Sequence, residues 1–336
     1  MPGLDIFNDD AFSVQSLTAT VNQMPYRPRQ ISKSGLFEED SVTTTLVSVE
    51  LKDGKLGLIE PSARGGPGET TSDEDRKLVP FQVDHYQRDD AVRADEVQNV
   101  PAFGSENEVE QVLDRVKSKL DRHLDDCDMT IEHQRVGAIK GLVKSRSGAT
   151  LHNLYSRFDI AVPPAISLNL GNEDAKVDEL LAVDVQHSIE DSLDAFYDGF
   201  HVYTGREFHL KLWGHKRIRE TFLATSGAAQ LRQAVPDTFT VGSFTFERYK
   251  TGAGASANAG GAYIAHDEAR VVPVGVPGLF ITRFAPADYI ETVNTPGLPR
   301  YAKQYPQANG KGVSLEIQTN AISLCTQPAA LRKLTL

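Results

Sequence analysis

Apolar residues recur at Val109, Val112, Leu113, Val116, Leu120, Leu124, Cys127 and Ile131. These steps of three and four draw one stripe along a helix, and charged residues fill its other faces. Ser105 and Glu108 have the spacing of a capping box, so the helix is predicted from about Ser105 to Gly137. At about 1.5 Å per residue it would be roughly 48 Å long. Asp128-Met129-Thr130 marks a place where it can break, with Thr130 capping a second piece. Gly137 and Gly141 weaken its end. The single stripe lacks the sustained heptads of a coiled coil.

Before this helix the pattern is extended. Ser13 to Asn22 predicts a short helix, and the two prolines within Met24 to Gln30 stop it. Val42 to Glu60 predicts a β-hairpin. Val47, Val49 and Leu51 alternate, Asp53-Gly54 supplies a type I′ turn, and Leu56 and Leu58 return on the same face, pairing Leu51 with Leu56 and Val49 with Leu58. An isolated two-stranded hairpin is marginal in water, so this one needs a surface to lie on. Arg64 to Asp75 is a polar connection, and Lys77 to Tyr86 predicts a further strand.

After the long helix, Leu142 to Tyr155 predicts a hairpin turning at Ser147-Gly148, and Pro163-Pro164 opens a break. Ala175 to Leu193 is helical in pattern. Gly199 to Thr204 and Phe244 to Tyr249 predict strands, and Arg206 to Ala224 a helix carrying Phe208, Leu212, Trp213, Ile218 and Phe222. Gly252 to Ala262 is a low-complexity loop. Pro273 to Gln304 and Gly310 to Thr335 combine proline and glycine with apolar, strand-like runs, a composition that lays backbone across a surface. The layout is α+β, with much extended chain that a lone globule rarely needs.

Composition narrows this picture. A chain of 336 residues suits about two domains, and its 40% hydrophobic and 24% charged content is ordinary for a globular protein. No secretory signal and no apolar run long enough for a membrane span is read, so a soluble, cytosolically made protein is expected. The net charge of −11 argues against a broad basic face that grips nucleic acid. It is compatible with a wall that encloses DNA without holding it, because neutralising phosphates is what makes DNA binding strong. Cys127 and Cys325 have no metal-like spacing and are expected as packed thiols.

Candidate chemistry is sparse. On one helix, His209 and His215 would lie about 240° apart, and His201 belongs to a separate strand. Glu132-His133 sits in a charged helix and is expected to be solvated or structural. Asp125, Asp126 and Asp128 lack the glycine and distal glutamate of a calcium loop. Neither Gly252 to Ala262 nor Gly310-Lys311-Gly312 meets the phosphate-loop pattern, and no nucleophile elbow is present. No catalytic, cofactor-binding or metal-ligating residue is predicted.

Several segments carry a resemblance in order: Phe12 to Tyr26 (FSVQSLTATVNQMPY), Gly35 to Thr45 (GLFEED with VTTT), Arg64 to Gly68 (RGGPG), Ala94 to Glu108 (ADEVQNVPAFGSENE), Gly137 to Gly141 (GAIKG) and the tail from Pro273. Together they resemble the lambda-type major capsid proteins of tailed double-stranded DNA bacteriophages, the phage capsid protein E family. The stretch from about 151 to 270 lies outside the resemblance. The resemblance implies the tailed-phage capsid fold, also called the Hong Kong ninety-seven fold. Carried onto this chain, residues 1–34 become an N-terminal arm and 35–89 an extended loop. Residues 90–190 and 286–336 become a peripheral domain with a spine helix at about 105–137, and 191–285 an axial domain.

The implied function is that of a major capsid protein, not an enzyme and without cofactors. It would self-assemble into pentamers and hexamers of an icosahedral head shell around double-stranded DNA, bound without sequence specificity. Shells of this kind mature by expansion. Scaffold, portal and decoration proteins are implied partners, the virion is the implied location, with assembly in the host cytoplasm, and no membrane is involved. Arm and hairpin would reach across neighbouring subunits, which makes Tyr26, Asp53, Gly54, Leu56 and Leu58 the candidate contact residues. An encapsulin-like nanocompartment, an enzyme with a site built from remote residues, and a tail-tube subunit remain as alternatives.

Overall fold

The computed structural model describes residues 10–24, 29–51, 77–93, 96, 108–193, 195–223, 235–250 and 263–336. Its longest helix runs from Glu108 to Lys140, 33 residues, and buries Val116, Leu120, Leu124, Cys127 and Ile131 of the predicted stripe. The helix does not break near Met129, because the Thr130 hydroxyl bonds back to the Asp126 carbonyl at 2.8 Å and stays within the turn. It also continues through Gly137, where a Cβ would stand 2.8 Å from the Val143 backbone. Glycine there admits the following strand. Gly141, at φ +73°, ends the helix in the left-handed conformation. Ser105, the predicted cap, lies outside the described residues.

In chain order the elements are α1 (Val14–Gln23), α2 (Gln30–Lys33), β1 (Glu38–Ser41), β2 (Leu46–Leu51), β3 (Lys77–Gln82), β4 (Asp84–Arg93), α3 (Glu108–Lys140), β5 (Leu142–Lys144), β6 (Thr150–Asn153), α4 (Leu154–Phe158), β7 (Ile166–Ser167), α5 (Val177–Leu180), α6 (Ser188–Glu190), β8 (Gly199–Thr204), α7 (Arg206–Gly214), α8 (Lys216–Leu223), β9 (Thr238–Val241), β10 (Phe244–Arg248), β11 (Glu268–Val274), β12 (Phe280–Phe284), β13 (Tyr301–Pro306), β14 (Gly312–Cys325) and β15 (Arg332–Thr335). A π-helical segment, Leu181–His187, joins α5 to α6. Two expectations change here. The strand predicted over Lys77 to Tyr86 is interrupted at Val83, giving β3 and β4. The helix predicted over Arg206 to Ala224 is two helices, because His215 is extended (ψ 135°) between them.

The chain forms two compact units. The first comprises described residues within Met1–Val47, Phe81–Gln134 and Ile281–Ser323; the second those within Ser48–Pro80, Arg135–Phe280 and Leu324–Leu336. In the first, β14 is central. It pairs antiparallel with β13 along one edge and with β4 along the other, while β12 carries β1 in parallel. Leu17 and Val21 of α1, Val116, Leu120, Leu124 and Cys127 of α3, Val92, Ala302, Leu315 and Ile317 share one apolar core, while Ile131 packs with Phe284 and Ala321. Ser13 caps α1 by accepting the Ser16 N–H.

The second unit holds a six-stranded sheet of order β7-β15-β11-β8-β10-β9. Its strands bring Phe200, Phe239, Phe244 and Phe246 together, and Trp213 and Phe222 pack against Phe239. The predicted hairpin after α3 is present as β5 and β6, with Gly148 at its turn. The predicted loop at Gly252 to Ala262 lies outside the described residues.

Candidate functional site

Tyr26, Asp53, Gly54, Leu56 and Leu58 all lie outside the described residues, as does the return strand of the predicted hairpin. The strand leading toward that turn, β2, pairs with β3. Burial alternates along both: Val47, Val49, Val79 and Phe81 are covered, while Leu46 and Leu78 are exposed. The ribbon therefore has one apolar face packed and leucines on the other.

The N-terminal segment differs from the arm that was expected to lie over a neighbour. Over its described residues it is fastened to the first unit of its own chain. Glu132, 1% exposed, accepts the Ile31 N–H at 2.8 Å on one oxygen. Its other oxygen accepts the Ser32 N–H at 2.9 Å and the Ser32 hydroxyl at 2.7 Å. A carboxylate on the first N–H groups of α2 satisfies donors that have no partner within the helix. Along α1, the Thr18 hydroxyl lies 3.3 Å from both the N–H and the C=O of Ala302, and the Asn22 amide donates to the Arg300 carbonyl at 2.9 Å. Side chains of a helix thus meet backbone groups that a neighbouring strand would otherwise take. The apolar stripe of α1 finds its cover within the same chain, which is why the segment packs there.

Each unit holds a buried carboxylate in an ion pair. In the first, Arg300 pairs with Asp128 at 2.5 Å, both nearly inaccessible. In the second, Glu268 meets Lys140 at 3.2 Å, Arg270 at 3.1 Å and Lys333 at 3.1 Å. Burial by itself would raise the Glu268 pKa, but Arg270 and Lys140 outweigh it and hold it at about 2. Burial lowers the Lys140 pKa.

These arrangements are structural rather than reactive. Burial pushes both thiols up to about 12, which keeps Cys127 and Cys325 protonated and inert. The three histidines of interest are engaged separately: His201 with Glu247 at 2.8 Å, His209 with the Pro236 carbonyl at 2.8 Å, and His215 with the Asn172 carbonyl at 3.0 Å. Burial lowers the His209 pKa, favouring the neutral ring. Among the described residues, no three His, Cys, Asp or Glu side chains are grouped to hold a metal ion. No described helix is long and apolar enough to cross a membrane. Of the two roles expected for Glu132, solvated or structural, the structure shows the structural one, and its partners Ile31 and Ser32 lie about a hundred residues away, out of reach of local pattern.

The family model described as phage major capsid protein E matches residues 13–336. The chain belongs to this family. Two relatives, both called major capsid protein, extend the match over nearly full length. That of Salmonella phage Felix O1 is 25% identical, covering 95% of this chain and 95% of its own. That of Pseudomonas phage KPP10 is 26% identical, covering 89% and 90%. A crystal structure of a protein assigned as the capsid protein of a prophage in E. coli CFT073 superposes with a TM-score of 0.59 at 9% identity, covering 96% of this chain and 99% of that one. The likeness is one of fold, and it places the mixed helix and sheet of this family member in the tailed-phage capsid fold. The family is named for a structural role, not an enzymatic one.

Proposed function

We propose that this capsid-family chain builds the head shell of a tailed phage by assembling with copies of itself into pentamers and hexamers. The family match across residues 13–336 is the observation that carries this reading. Each contact between identical subunits in a ring is heterologous, and ring closure satisfies every one of them. The ribbon β2–β3 leads toward the predicted turn at Asp53-Gly54, and the loop containing Leu56 and Leu58 would rest on a neighbouring subunit. Residues 35–89 act as the extended loop, 90–190 and 286–336 as the peripheral domain, and 191–285 as the axial domain. With a net charge of −11, the wall repels packaged DNA and leaves it free to leave. Scaffold, portal and decoration proteins would complete the head, and assembly would take place in the host cytoplasm.

Negative-stain microscopy of the purified protein, expressed alone and with its neighbouring phage genes, tests this. Closed particles are expected. Nucleic acid inside them when the phage genes are present supports a genome shell over an enzyme-holding nanocompartment. A protein that forms no particles in either setting contradicts the reading.

A further inference from the structure

In the second unit, one face of the six-stranded sheet gathers positive charge, although the chain as a whole is acidic. Strands β11 and β15 pair antiparallel, and their register sets Arg270 directly opposite Lys333. Like charges opposite each other on one face cost stability unless something answers them. Glu268 answers them, two residues before Arg270 and so on the same face. Its Oε2 accepts from Arg270 at 3.1 Å and lies 3.1 Å from the Lys333 ammonium. Its Oε1 lies 3.2 Å from Lys140 and accepts the Ala265 N–H at 3.2 Å. One carboxylate oxygen thus serves two full charges. The Arg270 Nε is buried and finds no acceptor, so Glu268 engages this guanidinium through Nη2 rather than through a two-nitrogen fork.

The surrounding groups register the same excess. Burial raises the Tyr155 pKa, and Arg270 and Arg332 pull it the other way. Burial lowers the Lys140 pKa; Glu268 opposes that, while Arg270 and Lys144 add to it. The excess does not depend on Lys140, because Arg270 and Lys333 by themselves bring two charges to the one carboxylate. The face is also open to solvent. The Lys333 side chain is 39% exposed and that of Arg270 16%, against 7% for Glu268. An anion arriving from water therefore meets the two cations before it meets the carboxylate. A phosphate group carries more than one negative charge near neutral pH and several acceptor oxygens. A guanidinium beside an ammonium presents directed donors on both sides of such a group. Chloride supplies one undirected charge. The overall charge of −11 keeps polyanions from settling broadly on the chain, so any such binding is confined to this place.

We propose that Arg270 and Lys333, bridged by Glu268, form a binding site for a phosphate-type oxyanion. The site does not depend on the shell reading above. The test follows the melting midpoint of the full-length protein near neutral pH as inorganic phosphate replaces sodium chloride at constant ionic strength. Phosphate also stabilises folded chains in general, by exclusion from their surface, and does so alike in every variant. The difference between proteins therefore carries the answer. The wild type is expected to gain a further rise of about 2 °C over Lys333→Met, levelling off as the site fills. Lys333→Arg keeps the charge and is expected to follow the wild type. So is Lys211→Met, which removes an exposed lysine paired with Glu207 elsewhere in the unit. Equal phosphate shifts in the wild type and Lys333→Met overturn the proposal, as does a Lys211→Met protein as deficient as Lys333→Met. A wild-type shift that rises without levelling off overturns it whatever the variants do. Free phosphate and the phosphates of nucleic acid share this chemistry, so a second arm replaces phosphate with a short oligothymidylate. Once the first arm has shown the site, a shift here that is lost in Lys333→Met makes nucleic acid its source of phosphate, and the absence of a shift makes the free ion its ligand.

Discussion

Each unit of the molecule buries a charged group, and the two do so in opposite ways. In the first unit, Asp128 and Arg300 form an ion pair whose side chains are 3% and 5% exposed. In the second, Glu268 is 7% exposed and serves three cations, of which Lys333 remains 39% exposed. A sealed pair is intolerant of losing either partner, because what remains is a bare charge in an apolar setting. A cluster with one carboxylate among several cations fails differently: the carboxylate is held ionised, and protonating it releases mutual repulsion among the cations. The first unit therefore depends on chemical identity at two positions, and the second on pH.

The largest expected effect is at the pair. Asp128→Ala should destabilise the first unit by about 3–5 kcal/mol, read as a lower denaturant midpoint. The double replacement Asp128→Leu with Arg300→Met should recover most of that loss. A single replacement without measurable cost would break the contrast between the units. Next comes the cluster. Glu268 has its pKa lowered from the usual 4.5 to about 2 in the folded chain. Its contribution is therefore fully present above about pH 4.5 and is lost as the pH falls from there toward 2. The loss amounts to about 3 kcal/mol by linkage. Denaturation measured across that window should show a slope that Glu268→Gln flattens, and an unchanged slope would contradict the assignment.

Much of this architecture is legible in the residues, and the exceptions have physical causes. The α3 stripe, the hairpin turning at Gly148 and the short α1 helix follow from spacing and turn chemistry. The division of Arg206 to Ala224 at His215 does not, because an apolar helical pattern continues across an extended residue whose ring is tied to Asn172. Strand β14 falls within the strand-like tail that was expected, but its burial on both faces was not legible. Its buried positions include Gln318, Thr319 and Asn320, which count as polar until Asp288, Pro299 and Pro286 are seen to receive their side chains. For Glu132 the pattern left solvated and structural roles open, because the backbone it anchors is distant in sequence.

Smaller effects sharpen the comparison within the first unit, where the N-terminal segment is held by one charged and one neutral device. Glu132→Ala leaves the buried Ile31 N–H, the partly buried Ser32 N–H and the Ser32 hydroxyl without their acceptor, at about 2–3 kcal/mol. Limited proteolysis should then cut near Gln30–Lys33 sooner than in the wild type. Thr18→Val removes only the long hydroxyl contacts to Ala302, so about 1 kcal/mol is expected. A larger loss at Thr18 than at Glu132 would reverse the order and locate the main fastening on α1.

The account stands on self-association, which sedimentation velocity measures directly over a range of concentrations. It predicts a threshold, with slow species below it and a fast, discrete boundary of closed particles above it. A single slow boundary of one 36.8 kDa chain at every concentration, with and without the neighbouring phage proteins, would contradict it.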